Sequence, residues 1–345
     1  MVKKNNKKKR VTIKDIAKEA KVSATTVSNV IHKNYDKVSP ETVKRIEKII
    51  REKQYVPNMS ARALVKNSSK IIGVINTLIP VERGSFITDP FHTMLVGGIE
   101  KELSKRGYFT MLRTVSNDKE LITLLKNWNL DGIILTGIFD DEFYHALKSH
   151  EIPMVLIDSY IDDEEILKVG LEDFKGGYIA TKYLIEKGHK NILFISPKIR
   201  EHGVLEERLK GYKKALEEAC IPFNPENVWE HGATVDECIE LGKKLSRRKD
   251  ITAIFVTADI MAISIMKGLQ EMGIRIPEDI SIIGFDDLEI SKLSTPKLTT
   301  VHQDIEKKGI ISAEMLVNYL EGKEIKEKNV VLPVHLVERE SVKEI

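Results

Sequence analysis

One stretch of about twenty residues, Thr12 to His32, restricts what this 345-residue chain can fold into more than any other. It reads Thr-Ile-Lys-Asp-Ile-Ala-Lys-Glu-Ala-Lys-Val-Ser-Ala-Thr-Thr-Val-Ser-Asn-Val-Ile-His. Thr12 is placed to cap a first helix, and Asp15 favours its positive N-terminus. Ile13, Ile16 and Ala17 give that helix one apolar stripe. Ser23 caps a second helix, whose stripe is Val27, Val30 and Ile31. The outward residues of the second helix are Ala24, Thr25, Ser28, Asn29 and His32. They are short groups that do not repel phosphate, as a helix lying in the DNA major groove requires.

Two short amphipathic helices and a turn occur in any helical domain, so the charge distribution has to decide. The chain carries 54 Lys+Arg and 52 Asp+Glu, a net of +2. Met1 to Asn67 holds 18 of the former and 6 of the latter, a net of +12, which leaves 36 against 46 in the remainder, a net of −10. A basic head on an acidic body fits a module for a polyanion joined to a separate domain. Lys3 to Arg10 reads as a disordered arm that adds salt-sensitive phosphate contacts.

Beyond His32, Ser39-Pro40-Glu41 starts a third helix, with Val43, Ile46, Ile49 and Ile50 facing inward and Tyr55 closing the unit. Pro57 ends that run. Asn58 to Val65 has the pattern of one more short helix, capped by Asn58 and too short to be stable alone. From Lys70 the period changes. Ile71 to Ile75 is a near-continuous apolar run, as in a parallel strand buried on both faces. Strands and amphipathic helices then alternate through two series, the second beginning with Leu167–Leu171. This predicts two doubly wound α/β lobes with a cleft at the carboxyl ends of their strands. The helix from Ile305 to Leu320 and the apolar run from Val330 to Val337 are expected to cross back to both lobes.

Taken together these motifs resemble the lactose repressor and galactose repressor family of bacterial transcription regulators. In the head the resemblance rests on Val-Thr-Ile-Lys-Asp-Ile-Ala, Val-Ser-Ala-Thr-Thr-Val-Ser, Val-Ser-Pro-Glu-Thr, and Tyr-Val-Pro-Asn followed by Ala-Arg-Ala-Leu. In the body it rests on Glu186 to Ile192, Arg208 to Tyr212, Ala253-Ile254-Phe255 with Asp259, Ile283 to Asp287, and Leu298 to Val301. It implies an all-α helix-turn-helix head with a hinge helix, joined to an α/β body like type I periplasmic binding proteins. It also implies that Ala24, Thr25 and Asn29 face base edges, and that Asn58, Ala61 and Leu64 belong to the hinge helix, with Leu64 as a minor-groove wedge. Thr12, Ser23, Ser28 and His32 complete the expected DNA-contacting set. Lys21 stands where the family usually has Gly, Asn29 where many members have Arg, and His32 where Asn is usual. Arg pairs with guanine and Asn with adenine, so an adenine preference is expected at that operator position.

The expected division is an arm at 1–10, a DNA-binding domain at 11–57, a hinge at 58–68 and an effector-binding and dimerisation domain at 69–345. Lobe one is expected at about 69–164 and 297–325, and lobe two at about 165–296 and 326–345. The candidate effector-binding residues are Phe91, Asp158, Asp173, Arg208, Asp259, Asp286 and Gln303. Asp158 and Asp286 follow apolar strands, Arg208 precedes a helix, and Phe91 is placed to stack on a ring. Gln303 and Asp259 enter through the resemblance, Asp259 with a structural reading as a helix N-terminal acid. Ala258 and Thr234 stand where sugar-binding members often have Asn and an aromatic.

No phosphate-cradling glycine loop, dinucleotide fingerprint or nucleophile elbow is present, the nine histidines are scattered, and no metal or other cofactor is expected. Cys220 and Cys238 lack metal-ligand spacing, and no signal or membrane-spanning run is seen, so a cytoplasmic setting is expected. The sequence therefore reads as a non-enzymatic transcription regulator, a repressor. Its expected partners are a double-stranded DNA operator, a second copy of itself in a homodimer, and a sugar, sugar phosphate or nucleobase effector. The alternatives are a body answering to a protein corepressor, and a sugar- or nucleoside-processing enzyme.

Overall fold

The computed structural model describes residues 11–56, 68–77, 85–115 and 117–345. The chain forms two compact units, one ending at Ser69 and one running from Lys70 to Ile345. The arm at 1–10 and the hinge residues Asn58, Ala61 and Leu64 lie outside the described residues.

In the head, α1 (Ile13–Ala20) begins with a capping box: Thr12 accepts from the Asp15 amide, and the Asp15 carboxylate accepts from the Thr12 amide at 2.9 Å. It ends at Lys21, whose φ of 55° is left-handed. Ser23 then caps α2 (Ala24–Ile31), and Ser39 with Pro40 opens α3 (Pro40–Glu52). Ile16, Ala17, Ala20, Val27, Val30, Ile46 and Ile49 form one buried core, with Tyr55 packed against it. Burying each large aliphatic side chain there contributes about 1.5–3 kcal/mol. A residue with a Cβ in the left-handed region costs about 1–2 kcal/mol. Lys21→Gly is therefore expected to stabilise the head by about 1 kcal/mol, read as a higher urea midpoint at unchanged slope. No gain would mean that the lysine side chain offsets its own backbone strain.

Among the described residues the body holds two six-stranded sheets. The first contains β1 (Ile71–Asn76), β2 (Phe109–Thr114), β3 (Gly132–Thr136), β4 (Met154–Ile157), β5 (Leu167–Leu171) and β11 (Asn329–Leu332), in the order β2-β1-β3-β4-β5-β11 and all parallel. The second contains β6 (Ile192–Ser196), β7 (Val228–Glu230), β8 (Ala253–Val256), β9 (Ser281–Asp286), β10 (Thr299–His302) and β12 (His335–Val337). Its order is β7-β6-β8-β9-β10-β12, with only β12 antiparallel. Alternate residues feed opposite faces, as a two-sided strand requires. Ile72, Val74 and Ile134 enter one core of the first sheet, while Ile75, Ile133 and Leu135 enter the other.

Three strands sit elsewhere than the expected lobe limits put them. β5, expected in lobe two, pairs with β4 in the first sheet. β10, expected in lobe one, pairs with β9 in the second. The run from Val330 to Val337 divides, β11 joining the first sheet and β12 the second. The chain thus passes between lobes three times, at Leu171–Asp173, His302–Ile305 and Leu332–His335.

The helices are α4 (Pro90–Lys105), α5 (Asp118–Trp128), α6 (Glu142–Lys148), α7 (Asp173–Glu186), α8 (Val204–Glu218), α9 (Val235–Leu245), α10 (Asp259–Glu271), α11 (Glu289–Leu293) and α12 (Ile305–Leu320). α12 packs on α4 and the first sheet, and α7 on α8 and the second. The α7–α8 pair meets backbone to backbone. A Cβ on Gly177 would lie 2.0 Å from the Arg208 carbonyl oxygen, and one on Gly211 2.0 Å from that of Phe174. Only glycine permits this approach.

Candidate nucleic-acid interface and ligand cleft

The turn at Lys21 and the Ser23 cap hold α2 with Val27 and Val30 inward, which leaves Ala24 and Thr25 exposed and Ser28 and Asn29 half-buried. His32 caps the C-terminus of α2, its Nδ1 lying 2.7 Å from the Ser28 carbonyl oxygen. A carbonyl only accepts, so Nδ1 carries the proton and Nε2 is the nitrogen left to meet another group. The Thr12 and Ser23 hydroxyls are engaged by their own helices, at 2.7 Å to Asp15 and 2.9 Å to Thr26.

In the body, five of the seven expected effector residues come together where the chain changes lobes. Asp158 directly follows β4 and Asp286 ends β9, with φ of 54° and 121°. Each such backbone stores about 1–3 kcal/mol of strain, which the surrounding structure must hold in place. Asp173 is the first residue of α7. Arg208 lies inside α8 and not before it, because the helix starts earlier than expected, at Val204, with Glu206 and Glu207 favouring its first turn. Gln303 lies in the passage from β10 to α12.

Two polar bridges cross the cleft. In the first, Lys308 Nζ donates to both Asp158 oxygens at 2.7 and 2.9 Å and to Gln303 Oε1 at 2.8 Å. Gln303 Nε2 in turn donates to Asp286 Oδ1 at 2.6 Å. In the second, Tyr160 donates to Asp173 Oδ2 at 2.9 Å, and Arg208 grips Asp173 Oδ1 through Nε at 2.9 Å and Nη2 at 2.8 Å. Arg208 also donates from Nη1 to the Thr257 carbonyl at 2.8 Å, and its guanidinium lies 3.6 Å from the Phe285 ring centre. Burial pushes the Asp173 carboxyl above its ordinary range against the pull of Arg208. Burial and then the nearby Asp259 charge push Asp286 up further.

Phe91 is half-buried against the first core, with Lys308 Nζ 5.6 Å from its ring centre. Asp259 is not part of the cleft floor. It is fully buried and accepts from the Leu288 amide at 2.9 Å, from Ser291 at 2.6 Å and from Thr300 at 2.6 Å, so it ties α10 to α11 and β10. Burial pushes its carboxyl up to about 6. Asp287 is held by His302 at 2.9 Å and by Arg339.

Sequence reasoning missed Lys308, Tyr160 and two threonines. Thr136 ends β3 and Thr257 follows β8, and both have buried hydroxyls without a hydrogen-bond partner. The sequence did carry a signal for Lys308: it shares one helical face with Ile305, Gly309, Ser312 and Leu316, all buried, so it is a lysine inside an apolar stripe. A cavity of about 530 Å³ is lined by Thr77, Asn117, Phe139, Asp141, Phe143 and Arg200. Arg200, from the second lobe, sits 4.9 Å from the Phe139 ring of the first. Ser159 links the cavity wall to the floor by donating to the Ile138 carbonyl at 3.1 Å.

A helix-turn-helix head in one chain with a two-lobed cleft body defines a ligand-regulated DNA-binding protein. The chain belongs to the lacI family of bacterial regulatory proteins, and it is a DNA-binding transcription regulator rather than an enzyme. Residues 12–58 match the description "Bacterial regulatory proteins, lacI family", and residues 181–342 match "Periplasmic binding protein-like domain". The chain is 33% identical over 341 residues to the HTH-type transcriptional repressor PurR of Vibrio vulnificus (strain CMCP6), covering 97% of this chain and 99% of that one. It is 32% identical to the PurR of Histophilus somni (strain 129Pt), covering 96% and 99%. Among solved structures, the lac repressor dimer bound to operator and the anti-inducer ONPF superposes with a TM-score of 0.83 at 25% identity, covering 97% of this chain and all of that one. A CelR–cellobiose complex superposes with 0.72 at 29% identity, covering 96% and 100%.

Proposed function

We propose that this regulator is a cytoplasmic repressor that binds a palindromic operator as a homodimer and is switched by a small, donor-rich polyhydroxyl molecule bound between the lobes of its body. The observation that carries this reading is the Asp158–Lys308–Gln303–Asp286 bridge, which begins in one lobe and ends in the other. A ligand that donates to Asp286 or accepts from Arg208 changes the bonding of both lobes at once, and a differential affinity of about 1–3 kcal/mol suffices to shift operator occupancy. In the head, Ala24, Thr25 and Asn29 read base edges, while the basic arm and the hinge, with Leu64 as the minor-groove wedge, add contacts of their own. The relatives' names support this reading: repressors of the PurR type, and a regulator solved with cellobiose.

Selection from random duplex DNA at fixed salt, followed by a metabolite screen on the selected site, tests it. The expected outcome is a palindromic consensus with adenine at the position read by Asn29. Asn29→Arg is expected to turn that position toward guanine, with about 1–3 kcal/mol of discrimination. Binding without base preference would remove the operator reading.

A further inference from the structure

His32 closes the outward face of α2 that Ala24, Thr25, Ser28 and Asn29 begin. Its ring is half-buried, and among the described residues it bonds to Ser28 alone, Nδ1 lying 2.7 Å from the carbonyl oxygen and 3.4 Å from Oγ. With the proton fixed on Nδ1 by that carbonyl, the neutral ring has only a lone pair on Nε2. Nε2 has no partner among the described residues and stays open to solvent. The acids on the elements packed against α2 are Asp15 and Glu19 on α1, Asp36 just after α2, and Glu41, Glu47 and Glu52 on α3. None of them bonds to His32, and four are held elsewhere: Asp15 by Thr12, Glu19 by Lys53, Glu47 by Tyr35 and Glu52 by Lys48. The cations there are Lys14, Lys18 and Lys21, then Lys33 and Lys37, then Lys44, Arg45, Lys48 and Arg51. The head itself therefore offers His32 no counter-charge.

The length of α2 says what His32 meets. Eight residues at 1.5 Å each span about 12 Å, which is about the width of the major groove. A helix whose N-terminal residues touch base edges therefore brings its last residue to the groove wall, where the strand presents phosphate oxygens. We propose that His32 is a proton-linked contact to the DNA backbone: Nε2 takes up a proton when it meets a phosphate, so DNA binding tightens as pH falls from 8 to 6. This rests on α2 lying in the major groove, as read above. A phosphate oxygen only accepts, and so does the neutral Nε2, so the two repel until a proton joins them. The phosphate charge favours imidazolium over imidazole, and imidazole is the side chain whose charge changes between pH 5 and 8. The proton comes from solvent and is held in a charge-assisted N–H···O bond. An asparagine at this place would offer its NH2 at any pH and carry no such link.

The test uses the full-length protein, a random-sequence duplex and the operator selected from it, titrated at pH 6 and pH 8 over a range of salt. Relative to His32→Asn, the wild type should gain roughly fivefold in affinity for each bound head as pH falls. Its plot of log K against log salt should steepen by about 0.9 for each head, the signature of one added phosphate contact. His32→Asn and His32→Gln both keep an amide donor and lose the proton, so neither should show that gain or that steepening.

The same pH dependence in the wild type and both variants overturns the proposal, as does a wild-type salt slope that does not move with pH. A gain seen with the selected operator and absent from the random duplex would mean that Nε2 meets a base edge, which also overturns it. The random duplex keeps this result apart from the operator reading: failure to select a palindromic site leaves the comparison of pH and salt slopes intact.

Discussion

Arg208→Ala is expected to remove about 3–5 kcal/mol from the stability of the body, the cost of leaving one member of a buried ion pair without its partner. Asp173 is 1% exposed and would keep only the Tyr160 hydroxyl, while Phe285 would lose the guanidinium stacked on its ring. The variant should carry its own pH signature. Burial already holds the folded Asp173 carboxyl above the ordinary 3.8, and the loss of Arg208 removes the main force pulling it down. A folded pKa above the unfolded one means that the folded state binds more protons across that window. The deficit is therefore smallest near pH 4 and grows as pH rises through the folded Asp173 value, becoming constant above it. Urea unfolding at pH 5 and pH 8 measures this. A loss under 1 kcal/mol at both would show that the pair is solvated, contrary to its burial. Operator affinity without effector should change little, because the head carries its own core.

Gly177→Ala should rank next. Its new Cβ would fall 2.0 Å from the Arg208 carbonyl oxygen, a backbone atom that cannot swing aside. Overpacking of this kind costs about 1–3 kcal/mol or more, and here it also parts the two helices that hold Asp173 and Arg208 together. Gly211→Ala strains the same seam from the other side, against the Phe174 carbonyl. Once one substitution has separated the helices, the second meets less resistance, so the double variant should lose less than the two single losses combined. Strict additivity, measured by denaturation of all three, would argue that the two contacts yield independently.

The head was legible because its signals are local. Thr12, Ser23 and Ser39 each act within three residues of themselves, and the stripe of Ile16, Val27 and Ile46 needs only helical periodicity. The alternation of strands and helices in the body was legible for the same reason. Which sheet a strand joins was not, since the apolar residues of β5, β10 and β11 suit the interior of either sheet equally well, and only long-range pairing separates them. The candidate residues of the cleft divide in the same way. Asp158 and Asp286 could be found from their place at strand ends. Arg208 was placed in the cleft although its helix was started five residues late. Asp259 looks like a site residue in sequence and is a brace in space, because Ser291 and Thr300 reach it from more than thirty positions away. Lys308 was passed over because lysine on a helix ordinarily faces water, and only the buried company at its own helical spacing argues otherwise.

The threefold passage of the chain between lobes bears on how the protein is made. Neither sheet is finished until its late strand arrives, β11 at Asn329–Leu332 and β12 at His335–Val337, whereas the head is complete by about Tyr55. At roughly 5–20 residues per second, the ribosome is on the order of 15–60 s past the last helix of the head before either half of the sensor can close. During synthesis the chain therefore acquires its reader of DNA well before the part that regulates the reader.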